Sequence, residues 1–185
     1  MLVSGAGTIL DAIVDASLPV AVVIADRACP AIEKASSKGL ETEVVLRDTF
    51  SPSFDRTAYT KRLTEVLDSA SVELVAMAGF GTVLAAPIYE RYRGRILNTH
   101  PSLLPAFPGW CAVEAALDHG VKFTGCTVHW ATVEVDSGPI LAQEVVPVLP
   151  EDDSTTLHER IKVVERTLYV EVLAQVMAGE RVGAR

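Results

Sequence analysis

What most constrains this chain is an alternation that runs through its first half. Four short apolar runs, Val20–Ala25, Thr42–Leu46, Val72–Ala78 and Arg95–Asn98, are rich in Val, Ile and Ala and bounded by turn or polar residues. Runs of that length and composition read as strands buried on both faces. Between them, Thr8–Ser17, Pro30–Lys38 and Thr57–Ser69 space their apolar residues as helices do. Parallel neighbours in a sheet need a long crossover, and a helix supplies it, so this order predicts a doubly wound, mostly parallel sheet. The expected class is α/β and Rossmann-like.

Past residue 100 the pattern changes. A Pro-rich loop leads to a helix near Ala112–His119, then to extended runs at Phe123–Ala131 and Ile140–Val146, joined through Glu134-Val135-Asp136-Ser137-Gly138. These read as antiparallel strands added to the sheet. A long amphipathic helix from about Thr155 to Met177 closes the chain, with Asp152, Asp153 and Ser154 as candidates for its N-cap. No internal repeat or linker is visible, and 185 residues, 49% of them hydrophobic, suffice for one core. A single domain spanning 1–185 is expected.

The net charge of -8, with scattered Lys and Arg, argues against a nucleic-acid surface and favours a small-molecule substrate. Cys29, Cys111 and Cys126 are odd in number, far apart and without metal-ligand spacing, so neither a disulfide framework nor a metal site is expected and the compartment reads as a reducing cytoplasm. The opening Met1-Leu2-Val3-Ser4 has no basic flank and no long apolar run, which excludes a signal peptide or a membrane span there. Assembly is not legible, and a homodimer is among the allowed states.

Three constellations could carry chemistry. Ser4-Gly5-Ala6-Gly7-Thr8 lies between the first strand and the first helix. Glycines there admit close approach of a ligand, and helix-start amides suit a phosphate. It is neither a full dinucleotide fingerprint nor a P-loop, and a tight strand-to-helix turn explains it equally well. The segment Asn98-Thr99-His100-Pro101-Ser102-Leu103-Leu104-Pro105 follows a parallel strand, where open α/β sheets hold ligands. Asn98 and His100, two apart, share a face of an extended chain, so a carboxamide oxyanion donor and an imidazole proton carrier would converge. A lone His is, however, commonly a buried structural group. Asp136, in a loop with Ser137-Gly138-Pro139, could orient an imidazole and take a proton from an amine, although spacing does not show that it reaches His100. His119, His129 and His158 read as structural or surface residues, and Glu151-Asp152-Asp153 as a helix-start signal.

The segments Ser4-Gly5-Ala6-Gly7-Thr8, Ala78-Gly79-Phe80, Asn98 to Pro105, Phe107-Pro108-Gly109, Thr124-Gly125-Cys126-Thr127-Val128-His129 and Asp136-Ser137-Gly138-Pro139-Ile140 together resemble the phosphoribosylglycinamide formyltransferase family, within the 10-formyltetrahydrofolate formyltransferase superfamily. The resemblance implies transfer of a formyl group from 10-formyltetrahydrofolate, as co-substrate and without a metal, to the amine of glycinamide ribonucleotide in purine biosynthesis. It implies Asn98, His100 and Asp136 as the reacting trio. It implies Gly5, Ala6, Gly7, Thr8, Ile9, Arg56 and Glu165 at the substrate phosphate and ribose. Folate would lie against Phe80, Gly81, Thr82, Val83, Leu84, Asn98, Val135 and Asp136.

The chain departs from the family pattern at three places. Ile9 stands where many relatives have Asn, Gly81-Thr82 where many have Met-Arg, and Trp110-Cys111 where a polar or His-containing pair is usual. These spare the trio and bear on folate affinity and acceptor identity. Other readings are a formyltransferase for another amine such as a sugar nucleotide, or a folate or nucleotide binder without catalysis. Methionyl-tRNA formyltransferase usually adds a C-terminal domain and basic surface, formyltetrahydrofolate hydrolase an N-terminal regulatory domain, and this chain has neither. An oxidoreductase is weakly supported by the incomplete glycine fingerprint.

Overall fold

A computed structural model of the chain describes residues 1–180, 182 and 183. Its contacts divide into two compact units, Met1–Leu97 and Asn98–Arg185.

The first unit carries β1 (Leu2–Val3), β2 (Val23–Ala25) and β3 (Thr42–Val44), hydrogen-bonded in that order and parallel throughout. β4 (Val75–Ala76) pairs in parallel with the first residues of β5 (Ile96–His100), and a parallel bridge from Leu2 to Met77 sets β1 beside the end of β4. The crossovers are α1 (Thr8–Asp15), α2 (Pro30–Ser37), α3 (Arg56–Ser69) and the short α4 (Ala86–Arg91). The α/β, doubly wound expectation holds. The strands β2, β3 and β4 are shorter than the apolar runs that announced them; ahead of β4, Val72 N–H bonds back to Leu67 C=O at 3.0 Å and so closes α3 instead of joining the sheet. Helix α4 was not foreseen, being a single short segment with Pro near its start.

Local chemistry explains the helix starts. Gly7 enters α1 with a left-handed φ of 72°, and a Cβ there would lie 2.7 Å from that of Ala31, so position 7 needs glycine for both conformation and space. Asp55 caps α3 by accepting the Ala58 N–H at 2.9 Å. Leu10, Ile13, Ile24, Leu63, Leu67, Ile88 and Ile96 fill the core without measurable exposure beyond a few per cent.

The second unit takes up β5 from Asn98 onward and adds α5 (Ala112–Asp118), β6 (Phe123–Trp130), β7 (Ile140–Pro147) and α6 (Ser154–Met177). β6 pairs antiparallel with β7, as expected, with a register shift between Val128 and His129. Gly125 and Gly138 sit where a Cβ would come within 2.0 Å of Glu144 O and 1.8 Å of Trp130 O respectively, so backbone occupies the space a side chain would need. α6 begins with a capping box between Asp153 and Thr156 and buries Leu157, Ile161, Glu165 and Tyr169, one residue per turn. Leu157 and Ile161 pack with Val113, Cys126 and Val146.

Candidate active site

Asn98, His100 and Asp136, the candidate reacting trio, lie within the second unit. β5 places Asn98 and His100 on one face and Thr99 on the other, where its hydroxyl donates to Glu165 Oε1 on α6 at 2.8 Å. The two-residue period of a strand therefore does what the sequence suggested. His100 is 6% exposed. Its Nε2 donates to Phe107 C=O at 2.8 Å, and its Nδ1 stands 3.2 Å from Asp136 Oδ2. Both ring nitrogens thus face oxygen atoms.

Asp136 is brought to the imidazole by a loop whose backbone is left-handed at this residue, with φ 53°. Its Oδ2 also accepts the Gly109 N–H at 2.8 Å. Burial by itself raises the Asp136 carboxyl, but the His129 ring, the Gly109 N–H and the charges that His100 and His129 can carry outweigh it, holding the group below the ordinary carboxylate value. The Pro-rich loop is fixed from both sides: Thr127 hydroxyl donates to Ser102 C=O at 2.6 Å and accepts Leu104 N–H at 3.0 Å, while Gln143 Nε2 donates to Leu104 C=O at 2.8 Å.

A second histidine packs against these residues. His129, assigned to a structural or surface role by its place in a strand, is 1% exposed and faces the trio. Its Nδ1 donates to Trp130 C=O at 3.0 Å; Nε2 accepts the Asn98 amide, 3.1 Å away, in the neutral ring and turns a hydrogen towards Asp136 when the ring is charged. Nε2 also stands 3.6 Å from Asp136 Oδ1. The signal in the sequence is the pair Thr127 and His129, polar residues two apart in a buried strand. The register shift at Val128/His129 leaves Leu141 of β7 without a partner on β6.

The remaining sequence-stated positions divide between surface and core. In the first unit Gly5 and Ala6 are exposed, Thr8 begins α1, and Ile9 is 6% exposed, so position 9 offers backbone and not a side chain. Arg56 is exposed at the first turn of α3. Along 80–84, Phe80, Gly81 and Val83 are half-buried, whereas Thr82 and Leu84, each 1% exposed, point inward. In the second unit Val135 and Trp110 are exposed, flanking Asp136 and Gly109 in the chain, and Cys111 is exposed at φ 61°. Burial raises the Glu165 carboxyl, against the Thr99 hydrogen bond that lowers it. Among the described residues no group of three or more His, Cys, Asp or Glu is arranged to hold a metal, and no helix is long and apolar enough to cross a membrane.

Comparison with known proteins gives a consistent picture. The formyl transferase family model matches residues 1–173. The phosphoribosylglycinamide formyltransferase of Mycobacterium tuberculosis is 45% identical over 179 residues, covering 94% of this chain and 82% of that protein. The trifunctional purine biosynthetic protein adenosine-3 of Bos taurus is 38% identical over 186 residues, covering 97% of this chain and 18% of that protein. The crystal structure of glycinamide ribonucleotide transformylase 1 from Symbiobacterium toebii superposes with a TM-score of 0.90 at 43% identity, covering 96% of this chain and 86% of that one.

Proposed function

The chain belongs to the phosphoribosylglycinamide formyltransferase family of formyl transferases, and from that premise we propose that it moves the formyl group of 10-formyltetrahydrofolate onto the amine of glycinamide ribonucleotide in purine biosynthesis. Residues 1–185 act as one formyltransferase domain, in line with a family model that runs through both units. The observation that carries the reading is the convergence of Asn98, His100 and Asp136, with the imidazole 3.2 Å from the carboxylate and the carboxamide held by His129.

The amine attacks the formyl carbon, forming a C–N bond and turning the carbonyl oxygen into an oxyanion. Asn98, with one amide hydrogen committed to His129, offers the other to that oxygen. His100 stabilises the same oxygen and relays protons, and Asp136 holds the ring and takes part in removing the amine proton. Collapse breaks the bond to the folate nitrogen, which leaves protonated as tetrahydrofolate. Backbone amides of Gly5, Ala6, Gly7 and Thr8 hold the phosphate, with Arg56 adding charge, Ile9 contributing only backbone, and Glu165 serving the sugar hydroxyls. Phe80, Gly81 and Val83, with the backbone alone of Thr82 and Leu84, whose side chains are buried, meet the folate together with Asn98, Val135 and Asp136. The free thiols of Cys29, Cys111 and Cys126 suit a reducing cytoplasm.

The test is formyl transfer from 10-formyltetrahydrofolate to glycinamide ribonucleotide, followed by folate absorbance and product mass beside a panel of other acceptor amines. Transfer to glycinamide ribonucleotide that vanishes in a folded His100→Ala variant supports the reaction and the centre together; transfer only to another amine refutes the acceptor.

A further inference from the structure

The first unit holds a buried carboxylate for which the mechanism above has no use. Asp26 directly follows β2 and is 1% exposed. Its Oδ1 accepts from Arg27 Nε at 2.8 Å, and its Oδ2 from Arg27 Nη2 at 2.9 Å and Thr82 Oγ1 at 2.8 Å. Ser4 hydroxyl is a further partner, and its oxygen accepts the Gly81 N–H at 2.7 Å. Burial alone pushes the Asp26 carboxyl up, and these donors together bring it below the ordinary value.

The partners come from the carboxyl ends of three parallel strands: Ser4 after β1, Asp26 and Arg27 after β2, Gly81 and Thr82 beyond β4. That is the side of an open α/β sheet where ligands bind. Gly81 and Thr82 both lie against Asp26 and Arg27. A Cβ at 81 would lie 3.0 Å from Arg27 Nη2, so glycine leaves room for the guanidinium. The hydroxyl at 82 supplies one of the carboxylate's donors.

We propose that Asp26, through Thr82, Ser4 and Arg27, is a positioning residue that fixes segment 80–84 and so sets the protein's affinity for folate without touching it. The inference rests on the reading of Phe80 to Leu84 as folate-facing. Asp26 and Thr82, each 1% exposed, are too buried to be contacts themselves. Removing one donor leaves a buried carboxylate undersatisfied, and the segment shifts to repair it. Binding groups work only when held to within about 0.5 Å by the shell behind them.

The test is calorimetric titration of tetrahydrofolate into wild type, Asp26→Asn, Thr82→Val, Thr82→Ser and Leu67→Val, each checked for folding by circular dichroism. Leu67→Val truncates the core of the same unit away from the cluster and controls for lost stability. The expected result is a Kd raised about tenfold in Thr82→Val and Asp26→Asn, with Thr82→Ser and Leu67→Val close to wild type. Thr82→Val keeps the inference falsifiable should Asp26→Asn not fold. An unchanged Kd in folded Thr82→Val, or an equal rise in Leu67→Val, overturns it while leaving the folate reading intact. Absence of tetrahydrofolate binding by wild type removes that reading, and this inference with it.

Discussion

Asn98 has two amide hydrogens, and His129 takes one of them at 3.1 Å. The remaining one is the proposed oxyanion donor, so the two residues differ in what their loss should do. Asn98→Ala deletes the donor and is expected to lower kcat by about 100- to 1,000-fold in a protein that still folds. His129→Ala leaves the donor but frees the carboxamide to rotate, with an expected loss of about tenfold in kcat and little change in KM. Steady-state kinetics on the two variants checks both, and wild-type turnover in either would remove that residue from the centre. Asp136 yields a prediction about stability. Its pKa is depressed in the folded protein, so its contribution is present above the unfolded value of about 3.9 and is lost as pH falls through the folded value. Asp136→Asn, which tolerates the left-handed backbone, should lower stability at neutral pH and flatten its decline below about pH 4. Urea midpoints across pH measure this; parallel curves for the two proteins would contradict it.

At the scale of elements, α6 carries an acid on its buried stripe. Glu165 has a raised pKa, so folding binds its proton more tightly than the unfolded chain does, and stability falls as pH rises from about 4.3 through the folded value. Glu165→Gln keeps an acceptor for Thr99 and removes the buried charge. It should be more stable than wild type at pH 7 and no different below about pH 4; an equal difference at both would show that charge is not the cause. Helix α6 also shows what was legible in the sequence. Its periodic apolar stripe and Asp153 cap placed it to within a residue of the expected Thr155–Met177, and the strand pair β6–β7 was equally clear from its connecting loop. That Asn98 and His100 share a face was legible because they lie two apart at a strand end; that Asp136 reaches the imidazole was not, because spacing does not say where its loop folds. His129 was not, because its role depends on which face of β6 meets β5, a tertiary fact. The resemblance placed Thr82 among the folate-facing residues, and alternation along 80–84, which turns its side chain inward to Asp26, is not legible from spacing. Helix α4, only Ala86–Arg91, is too short for periodicity to announce.

For the whole molecule, the division into two units falls inside one strand, between Leu97 and Asn98 of β5. One strand runs across the division, and unfolding is expected to be a single cooperative event. Trp110 and Trp130 both belong to the second unit, whereas far-UV ellipticity reports on all the helices. Their urea transitions should coincide, and separated midpoints would show the units to be independent. The glycines lead to a different kind of experiment. At 125 and 138 an added methyl collides with backbone oxygen, while at Gly5 it meets nothing within 4 Å. In a saturation library sorted once for cellular abundance and once for growth without supplied purines, replacements at 125 and 138 should disappear from both pools. Replacements at 5 should survive the first sort and fail the second, so that the difference between the two pools separates the glycines kept for the fold from the one kept for its ligand.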